Sequence, residues 1–351
     1  MSIHLFLFLC LTPQSHTPQR LGTLEEVLQP QLIKVHGQEL FAVEDHEIFI
    51  YSLPDLKLKQ KISRAGEGPG EFTLDPSRSL NISVHANSIL AQSRTKYIFF
   101  DRKGVMQREG RKRTAILQLY PLGDQFVVLR ITNGEGGRQY FSLNIYNSEM
   151  KNVKELHRQK FFTFLSEIHP MPDPLNFCVV NNQIYVEKSV EGFQIDVYND
   201  RGDLVDSIQR DAPKIEVTDQ AKEAALQELL NIPSMQRVRQ EQGQSGVTAI
   251  LNESKQVYPD YVPPIDNIIG DRDRIYVKTF QQTAKGVNWL VLDAKGRRLK
   301  ETILPVAARP PFLIRLQGDK NLYTVHDGTY YYLKNTPDGE DEIWEVFCMA
   351  L

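Results

Sequence analysis

The sequence has few cysteines, no marked excess of charge of either sign, and little helical pattern. Its 351 residues include three cysteines, Cys10, Cys178 and Cys348, which show no CxxC or metal-knuckle spacing. At most one disulfide can form, so the chain is not a disulfide scaffold. The 41 basic and 44 acidic residues leave a net charge of −3. No overall field therefore favours nucleic acid or an anionic membrane as a partner.

No segment is long and apolar enough to cross a bilayer, and the apolar run Ile3–Leu11 instead fits the core of a signal peptide. Cys10 ends an LFLC stretch that resembles a bacterial lipoprotein box, although Leu9 stands where that box needs a small residue. No Lys or Arg precedes the run and no A-x-A site follows it. We interpret residues 1–16 as a signal peptide or lipoprotein leader and 17–351 as the folded domain. A cytosolic start or a buried first strand is the alternative.

Helical periodicity is confined to one region. DQAKEAALQELL, at Asp219–Leu230, places apolar residues on one side, and Thr218 or Asp219 can cap its start. Polar sequence continues to about Lys255, which predicts a helical insertion at 219–255. Nearly all the remaining chain alternates apolar and polar residues between turn signals, as short β-strands do.

A two-part repeat recurs six times along the chain. Its first half is a polar turn and an alternating strand, such as GQELFAV or ANSILAQ. Its second half is a strand that ends in a short polar residue and a turn, such as IFFDRKG or LVLDAKG. Most of the spacings are near 45 residues, which is typical of four-stranded propeller blades. The double-length spacing between Asn199 and Asp293 contains the helical insertion. The six second halves end at Ser52, Asp101, Asn147, Asn199, Asp293 and Asn335.

We therefore predict an all-β fold, a six-bladed β-propeller of four-stranded antiparallel blades with the helical insertion between blades four and five. Stacking blades in a ring buries both faces of each sheet and leaves only short edges. A pair of β-sandwiches is the alternative, but it would not need one period through both halves of the chain.

One loop stands out, SRAGEGPGEFTLDP at Ser63–Pro76. Its glycines permit backbone conformations that other residues resist, and Phe72 can insert between two neighbouring blades. A phosphate cradle is the alternative. That cradle needs a Lys followed by Ser or Thr, or a helix N-terminus, whereas Glu71 and Phe72 follow the glycines here. We predict a structural loop that crosses from one blade to the next.

This loop, followed by NSILAQ and KYIFFDRKG, resembles an NHL-type repeat, although Leu90, Ala91 and Gln92 replace the usual Val-x-Asp. The stretch Tyr258–Phe280 is similar to the late blade of bacterial six-bladed propellers of this type. The resemblance implies a six-bladed propeller that is commonly exported. Some related propellers are lyases or hydrolases with a metal in the central channel, and others only bind partners.

No residue set qualifies as catalytic, cofactor-binding or metal-binding. Asp266, Asp271 and Asp273 lie near predicted blade mouths, where solvated turns are expected and Ca²⁺ is the alternative. The histidines show no HxH or HExxH spacing, although a propeller can assemble a metal site from distant blades. We expect them on the surface or in turns: His4, His16, His36, His46, His85, His157, His169 and His326.

Two short motifs have an ordinary structural explanation. Asp101–Arg113 carries six basic and two acidic residues, which predicts a charged outer hairpin. An anionic surface or a polysaccharide is its alternative ligand; nucleic-acid binding would need interleaved aromatic residues. Arg201-Gly202-Asp203 resembles an adhesion tripeptide but falls in a repeat turn where glycine is expected.

These observations favour a non-catalytic ligand- or protein-binding scaffold of the bacterial cell envelope, periplasmic, outer-envelope or secreted. It would be a monomer without cofactor, attached to a membrane only through a lipid anchor. Its protein, peptide or glycan ligand would contact the face that bears the insertion. The alternative is a metal-dependent lyase or hydrolase, in which Ca²⁺ or Zn²⁺ is held by His, Asp or Glu side chains at the ends of innermost strands. A structural adhesin module is a third, weaker interpretation.

Overall fold

Six four-stranded antiparallel sheets form the blades of a propeller in the computed structural model. The structure describes residues 17–73, 80–112, 116–135, 139–160, 167–171, 175–189, 192–305, 322–338 and 341–351. The first strands of neighbouring blades contact one another around the axis, so the first strand of each blade is its innermost strand. The predicted six-bladed all-β fold is confirmed.

The first strand of the chain belongs to the last blade, and the strands after it form blades one to three. This strand is β1 (Gln19–Thr23). Blade one consists of β2 (Leu32–His36), β3 (Glu39–Glu44), β4 (Glu47–Ser52) and β5 (Leu58–Ile62). Blade two consists of β6 (Asn81–Val84), β7 (Ser88–Gln92), β8 (Lys96–Asp101) and β9 (Met106–Arg111). Blade three consists of β10 (Ile116–Leu122), β11 (Gln125–Asn133), β12 (Gln139–Tyr146) and β13 (Asn152–Lys160).

Blades four to six follow the same order, and a small pair of strands and two helices lie between them. The short strand β14 (Glu167–Ile168) precedes blade four, which consists of β15 (Phe177–Val180), β16 (Gln183–Glu187), β17 (Phe193–Tyr198) and β18 (Leu204–Arg210). Next come α1 (Asp219–Leu230), α2 (Pro233–Glu253) and β19 (Lys255–Gln256). Blade five consists of β20 (Ile265–Asp271), β21 (Arg274–Thr283), β22 (Gly286–Asp293) and β23 (Arg298–Leu304). Blade six begins with β24 (Tyr323–His326), β25 (Thr329–Asp338) and β26 (Asp341–Ala350).

The ring is closed by pairing the two ends of the folded chain. β1 pairs antiparallel with β26, so that Gln19 lies opposite Cys348, and β1 becomes the outermost strand of blade six. The sixth repeat assigned from the sequence is consequently displaced by one strand. Leu322 directly precedes the innermost strand β24, and Asn335 lies within β25, not at its end. Alternation and turn signals are alike for any two neighbouring strands of a blade, so only ring closure distinguishes them.

The helical insertion lies between blades four and five, as predicted. The hydroxyl of Thr218 accepts a hydrogen bond from the N–H of Ala221 and caps α1, and Pro233 begins α2. Gly243 has φ 68°, a conformation that glycine adopts readily and that breaks α2 into two helical pieces. Within the described ranges, no helix is long and apolar enough to cross a membrane.

Antiparallel blades place all connections on one of two faces. Each blade's first and third turns lie on one side of the ring, which we call the turn face. Each second turn, and each crossing to the next blade, lies on the opposite side, which we call the insertion face because it carries α1 and α2. The parallel pair of β14 and β19 lies in two such crossings.

The third turns of blades two to five share one local geometry, which explains the Asp or Asn that ends the second half of the repeat there. The side-chain Oδ1 accepts hydrogen bonds from the N–H groups two and four residues further on, at 2.8–3.1 Å. Gly202 takes φ 77° in one of these turns, so the adhesion-like tripeptide is a turn, as predicted. The residues that cap these turns are Asp101, Asn147, Asn199 and Asp293.

The core of the molecule lies between blades, as radial stacking requires. In the part of the chain that the structure describes, a separate cluster of buried apolar side chains fills each of the six blade interfaces. Trp289, for example, is fully buried between blades five and six against the rings of Tyr323 and Tyr330. Each blade is therefore stabilised mainly by its neighbours.

Candidate functional site

The glycine-rich loop is a structural crossing between blades one and two. Phe72 is fully buried in the cluster that these two blades share. Its N–H donates to the carbonyl of Arg64 at 3.0 Å, and its carbonyl accepts from Gly66 at 2.9 Å. The predicted insertion of Phe72 between neighbouring blades is confirmed.

The glycines of this loop make room for a carboxylate of the chain itself. A Cβ on Gly66 would lie 2.1 Å from Oε2 of Glu71, so no larger residue fits there without a shift. The same oxygen accepts the N–H of Gly68 at 2.9 Å, and Arg64 donates to the other oxygen at 2.6 Å. These bonds, that of Gly68 first, hold the pKa of Glu71 below its ordinary value. Glu71 thus occupies the position that a phosphate would need.

Four blades end their innermost strand with a His or an Asp at the same position, directly before the first turn. The sequence spacing hides this set because its members lie on different blades. In each blade this residue is paired with the first residue after the turn, as His36 is with Glu39. The four residues are His36, His85, Asp271 and His326.

Two of these residues connect consecutive blades on the turn face. The carboxylate of Asp271 accepts the N–H groups of Asp327 at 3.2 Å and of Gly328 at 3.0 Å, which joins blade five to blade six. Nε2 of His326 accepts the N–H of Gly37 at 2.8 Å, which joins blade six to blade one. Because blade six contains the first and the last strand of the folded chain, these bonds stabilise the blade at which the ring closes.

Asp271, His326 and Asp327 are also close enough to be a candidate metal site. One ligand atom from each lies within 4.8 Å of the others. His326 is 3.8 Å from Asp271 through Nδ1 and 3.7 Å from Asp327 through Nε2. However, both Asp271 oxygens and the His326 Nε2 already accept backbone N–H groups, and Asp327 is paired with Arg272 at 2.5 Å. A cation would compete with these contacts, so the residues fit a connection between blades better than a metal centre.

The other two histidines of the set, His36 and His85, lie further around the propeller axis, on blades one and two. The rings of His36 and His326 are 5.5 Å apart, and those of His85 and Tyr120 are 5.8 Å apart. Burial lowers the pKa of His36 and of His85. The charges of Arg102 and His326 lower the pKa of His36 further, and that of His36 lowers the pKa of His85. Burial raises the pKa of Tyr120 to about 12. The lowered pKa values favour the neutral form of His36 and His85 at neutral pH.

The three aspartates that the sequence placed near blade mouths are not brought together. Asp266 is buried at the start of β20 and Asp271 is nearly buried at its end, whereas Asp273 is exposed in the turn. The prediction of solvated turns is therefore wrong for Asp266 and Asp271, because both strand ends are covered by the neighbouring blade. Asp266 instead lies 2.8 Å from the ammonium of Lys278, which is fully buried. A single Lys within the apolar strand RIYVKTF was the signal for this pair.

The predicted charged outer hairpin is confirmed over its described residues, where β9 is the outer strand of blade two; Arg113 lies outside the described residues. Most of β9 is exposed, and Arg108 donates to the carbonyl of Ser148 in the next blade at 2.8 Å. Lys112 is an exception, because it is buried and donates to the carbonyls of Ser93 and Leu117. Part of the positive charge in this sequence is therefore structural.

Comparison with known proteins shows the fold. No protein-family model and no curated protein matches the chain. A member of the DUF4221 family from Bacteroides vulgatus is 10% identical, with a TM-score of 0.51, over 95% of this chain and 96% of that one. BamB from Moraxella catarrhalis is 9% identical, with a TM-score of 0.31, over 90% and 71%. Kluyveromyces lactis Hsv2 is 11% identical, with a TM-score of 0.38, over 79% of this chain but only 63% of that one. The likeness to the DUF4221 protein is one of fold alone and does not identify a function.

Proposed function

We propose that this protein is a non-catalytic binding scaffold whose macromolecular ligand, a protein, peptide or glycan, docks on the insertion face. The observation that carries the proposal is the segregation of connections in the described residues. The turn face consists of short capped turns, whereas the insertion face carries α1, α2 and the β14–β19 pair. A propeller needs none of these additions to close its ring, and binding residues are concentrated on such loops.

The helical insertion is held in a defined position. Ala225 of α1 is fully buried and packs with Met171 and Val217 in a cluster at the base of the insertion. A second small core, which includes Leu230 and Met235, joins α1 to α2. The outer side of α2 is exposed and polar, as at Gln240 and Glu241. A docking surface benefits from this arrangement, because a pre-positioned element loses less entropy on binding than a flexible loop.

Site-specific photo-crosslinking in cells of the native host tests this proposal. A photo-reactive residue at the exposed position of Gln240 is expected to yield one discrete crosslinked macromolecule. The same residue at Lys295, which is exposed in a turn of the turn face, is the matched control and is expected to yield none. Equal products at both positions, or no product at Gln240, would contradict docking on the insertion face.

We also propose export, with residues 1–16 as the leader and Cys10 as the candidate lipidated residue. The supporting observations are the apolar run and the lipoprotein-like LFLC stretch, which lie outside the described residues. Mass spectrometry of the native protein extracted from membranes is the test. A diacylated N-terminal cysteine would support the proposal, and an intact Met1 would end the lipoprotein interpretation.

A metal-dependent lyase or hydrolase is the second candidate, favoured only by the cluster of Asp271, His326 and Asp327. Its ligand atoms are engaged in bonds between blades, so we expect no stoichiometric metal and no change in the melting temperature on addition of a chelator. Elemental analysis and thermal unfolding with and without the chelator measure this. A bound divalent ion whose removal lowers the melting temperature would favour the enzyme instead.

A further inference from the structure

Blade three is longer than blade two and overhangs it on the insertion face. β11 has nine residues where the corresponding β7 has five, and both begin directly after the first turn of their blade. The residues of β11 from Arg130 onward therefore extend past the end of β7. They lie on a part of the sheet that the shorter blade two does not cover.

A cleft of about 600 Å³ lies on this uncovered part of the sheet. That volume is within the ordinary range of small-molecule sites, but the lining differs from that of most such sites because it is polar. It contains amide, hydroxyl and charged side chains and one aliphatic residue, Ile131. Among the residues that line it are Arg130, Thr132, Asn144, Asn152, Glu155 and Arg158.

Arg130 has a positive charge that no carboxylate of the described residues balances. Its Nη1 donates to the hydroxyl of Tyr146 at 2.7 Å, and its Nε is buried without a hydrogen-bond partner. The hydroxyl of Thr132, two residues along the same strand, is also buried without a partner. A partly buried cation with unused donors favours an anionic ligand, and the planar guanidinium suits a carboxylate.

The rest of the lining is a connected polar network with unused acceptors. Arg158 and Ser142 donate to Oε2 of Glu155 at 2.8 and 2.7 Å, and no described residue donates to Oε1. Burial alone would raise the pKa of Glu155, but the hydrogen bonds from Arg158 and Ser142 outweigh it and keep the pKa below its ordinary value. Asn152 donates to Asn144 at 3.2 Å and keeps its own side-chain oxygen for other donors.

We propose that this cleft binds an acidic sugar, with its carboxylate against Arg130 and its hydroxyl groups against Glu155 and Asn152. Because Arg158 and Glu155 neutralise each other, the lining retains one net positive charge from Arg130, which matches one carboxylate. Hydroxyl groups both donate and accept hydrogen bonds, as this network requires, and a lining with Ile131 as its one aliphatic side chain disfavours a lipid. The inference concerns a small ligand and does not depend on a macromolecule that docks on α2.

Calorimetric titration of the purified full chain tests the proposal, with D-glucuronate, D-galacturonate, D-glucose and inorganic phosphate as probes. We expect at least one uronate to bind at millimolar concentration and glucose to bind at least about tenfold more weakly. Arg130→Gln is expected to weaken uronate binding by about tenfold or more, because it removes a hydrogen bond to a charged group. Arg130→Lys keeps the positive charge but not the planar guanidinium, and it is expected to weaken uronate binding less than Arg130→Gln does.

Arg201→Gln is the matched control, because Arg201 is a highly exposed arginine on the turn face, and it is expected to leave binding unchanged. Circular dichroism confirms that each variant is folded; if Arg130→Gln does not fold, Arg130→Lys and the preference of the native chain for uronate over glucose decide the result. The proposal is overturned if neither uronate binds, if Arg130→Gln binds as well as the native chain, or if phosphate binds as tightly as the uronates. If the uronates do not bind but the photo-reactive residue in α2 still yields a crosslinked macromolecule, the scaffold proposal stands.

Discussion

Replacing Phe72 with alanine is expected to lower the free energy of unfolding by about 3–5 kcal/mol, the usual cost of truncating a buried aromatic residue. Phe72 is fully buried between blades one and two, with Phe41 and Ile82 in the same cluster. The N–H and the carbonyl of Phe72 are both hydrogen-bonded within the loop, to Arg64 and Gly66, so the loop cannot readily collapse into the cavity. Urea unfolding measured by circular dichroism gives the change directly.

Two further variants make the Phe72 result specific. Leucine fills part of the space that Phe72 occupies, so Phe72→Leu is expected to lower the free energy of unfolding clearly less than Phe72→Ala does. Leu28→Ala removes an apolar side chain that is 69% exposed, and it is expected to change stability by less than about 0.5 kcal/mol. A loss below about 1 kcal/mol for Phe72→Ala would show that the loop does not hold the two blades together.

Lys278→Met is expected to lower the free energy of unfolding by about 3–5 kcal/mol, because it removes the ammonium that lies 2.8 Å from the buried Asp266 carboxylate. Both side chains are almost inaccessible, with 1% and 5% of their surface exposed. The ammonium also lies 5.3 Å from the centre of the Tyr323 ring, which attracts a cation. The approach of Lys278 to Asp266 does not have the angle of a directed hydrogen bond, so the contact is mainly electrostatic.

An exposed lysine provides the comparison for Lys278. Lys151 pairs with Glu149 at 2.7 Å, but 74% and 66% of the two side chains are exposed, so Lys151→Met is expected to cost less than about 1 kcal/mol. Adding Asp266→Asn to Lys278→Met is expected to recover part of the lost stability, because the buried carboxylate is then replaced by a neutral amide. Equal losses from Lys278→Met and Lys151→Met in urea unfolding would show that burial of the pair has little energetic importance.

Two predictions that depended on hydrogen bonds within a short stretch of sequence are confirmed by the structure. The turn at Asn199 and the helix start at Thr218 are made by hydrogen bonds between residues a few positions apart. Such bonds are encoded by short stretches of sequence. The position of Phe72 also followed from a local motif, because the glycines before it permit a backbone conformation that other residues resist.

The candidate sites could not be found in this way. Asp271 and His326 are 55 positions apart in the sequence, and the stacking of blade five against blade six places them beside each other. Arg130 lies on the part of β11 that extends beyond the length of β7, and no single strand pattern reveals this difference between blades. Lys278 gave a visible signal, a charge within an apolar strand, but the sequence did not indicate its partner.

By itself, the sequence determined the repeat, the number of blades, the capped turns and the helical insertion, because alternation and short-range hydrogen bonds act within one blade. Only the tertiary structure decided how the ring closes, through the pairing of Gln19 with Cys348, and which side chains meet at its two faces. The physical reason is that neighbouring blades interact across their sheets, so contacts between blades depend on the length, register and order of strands that lie far apart along the chain.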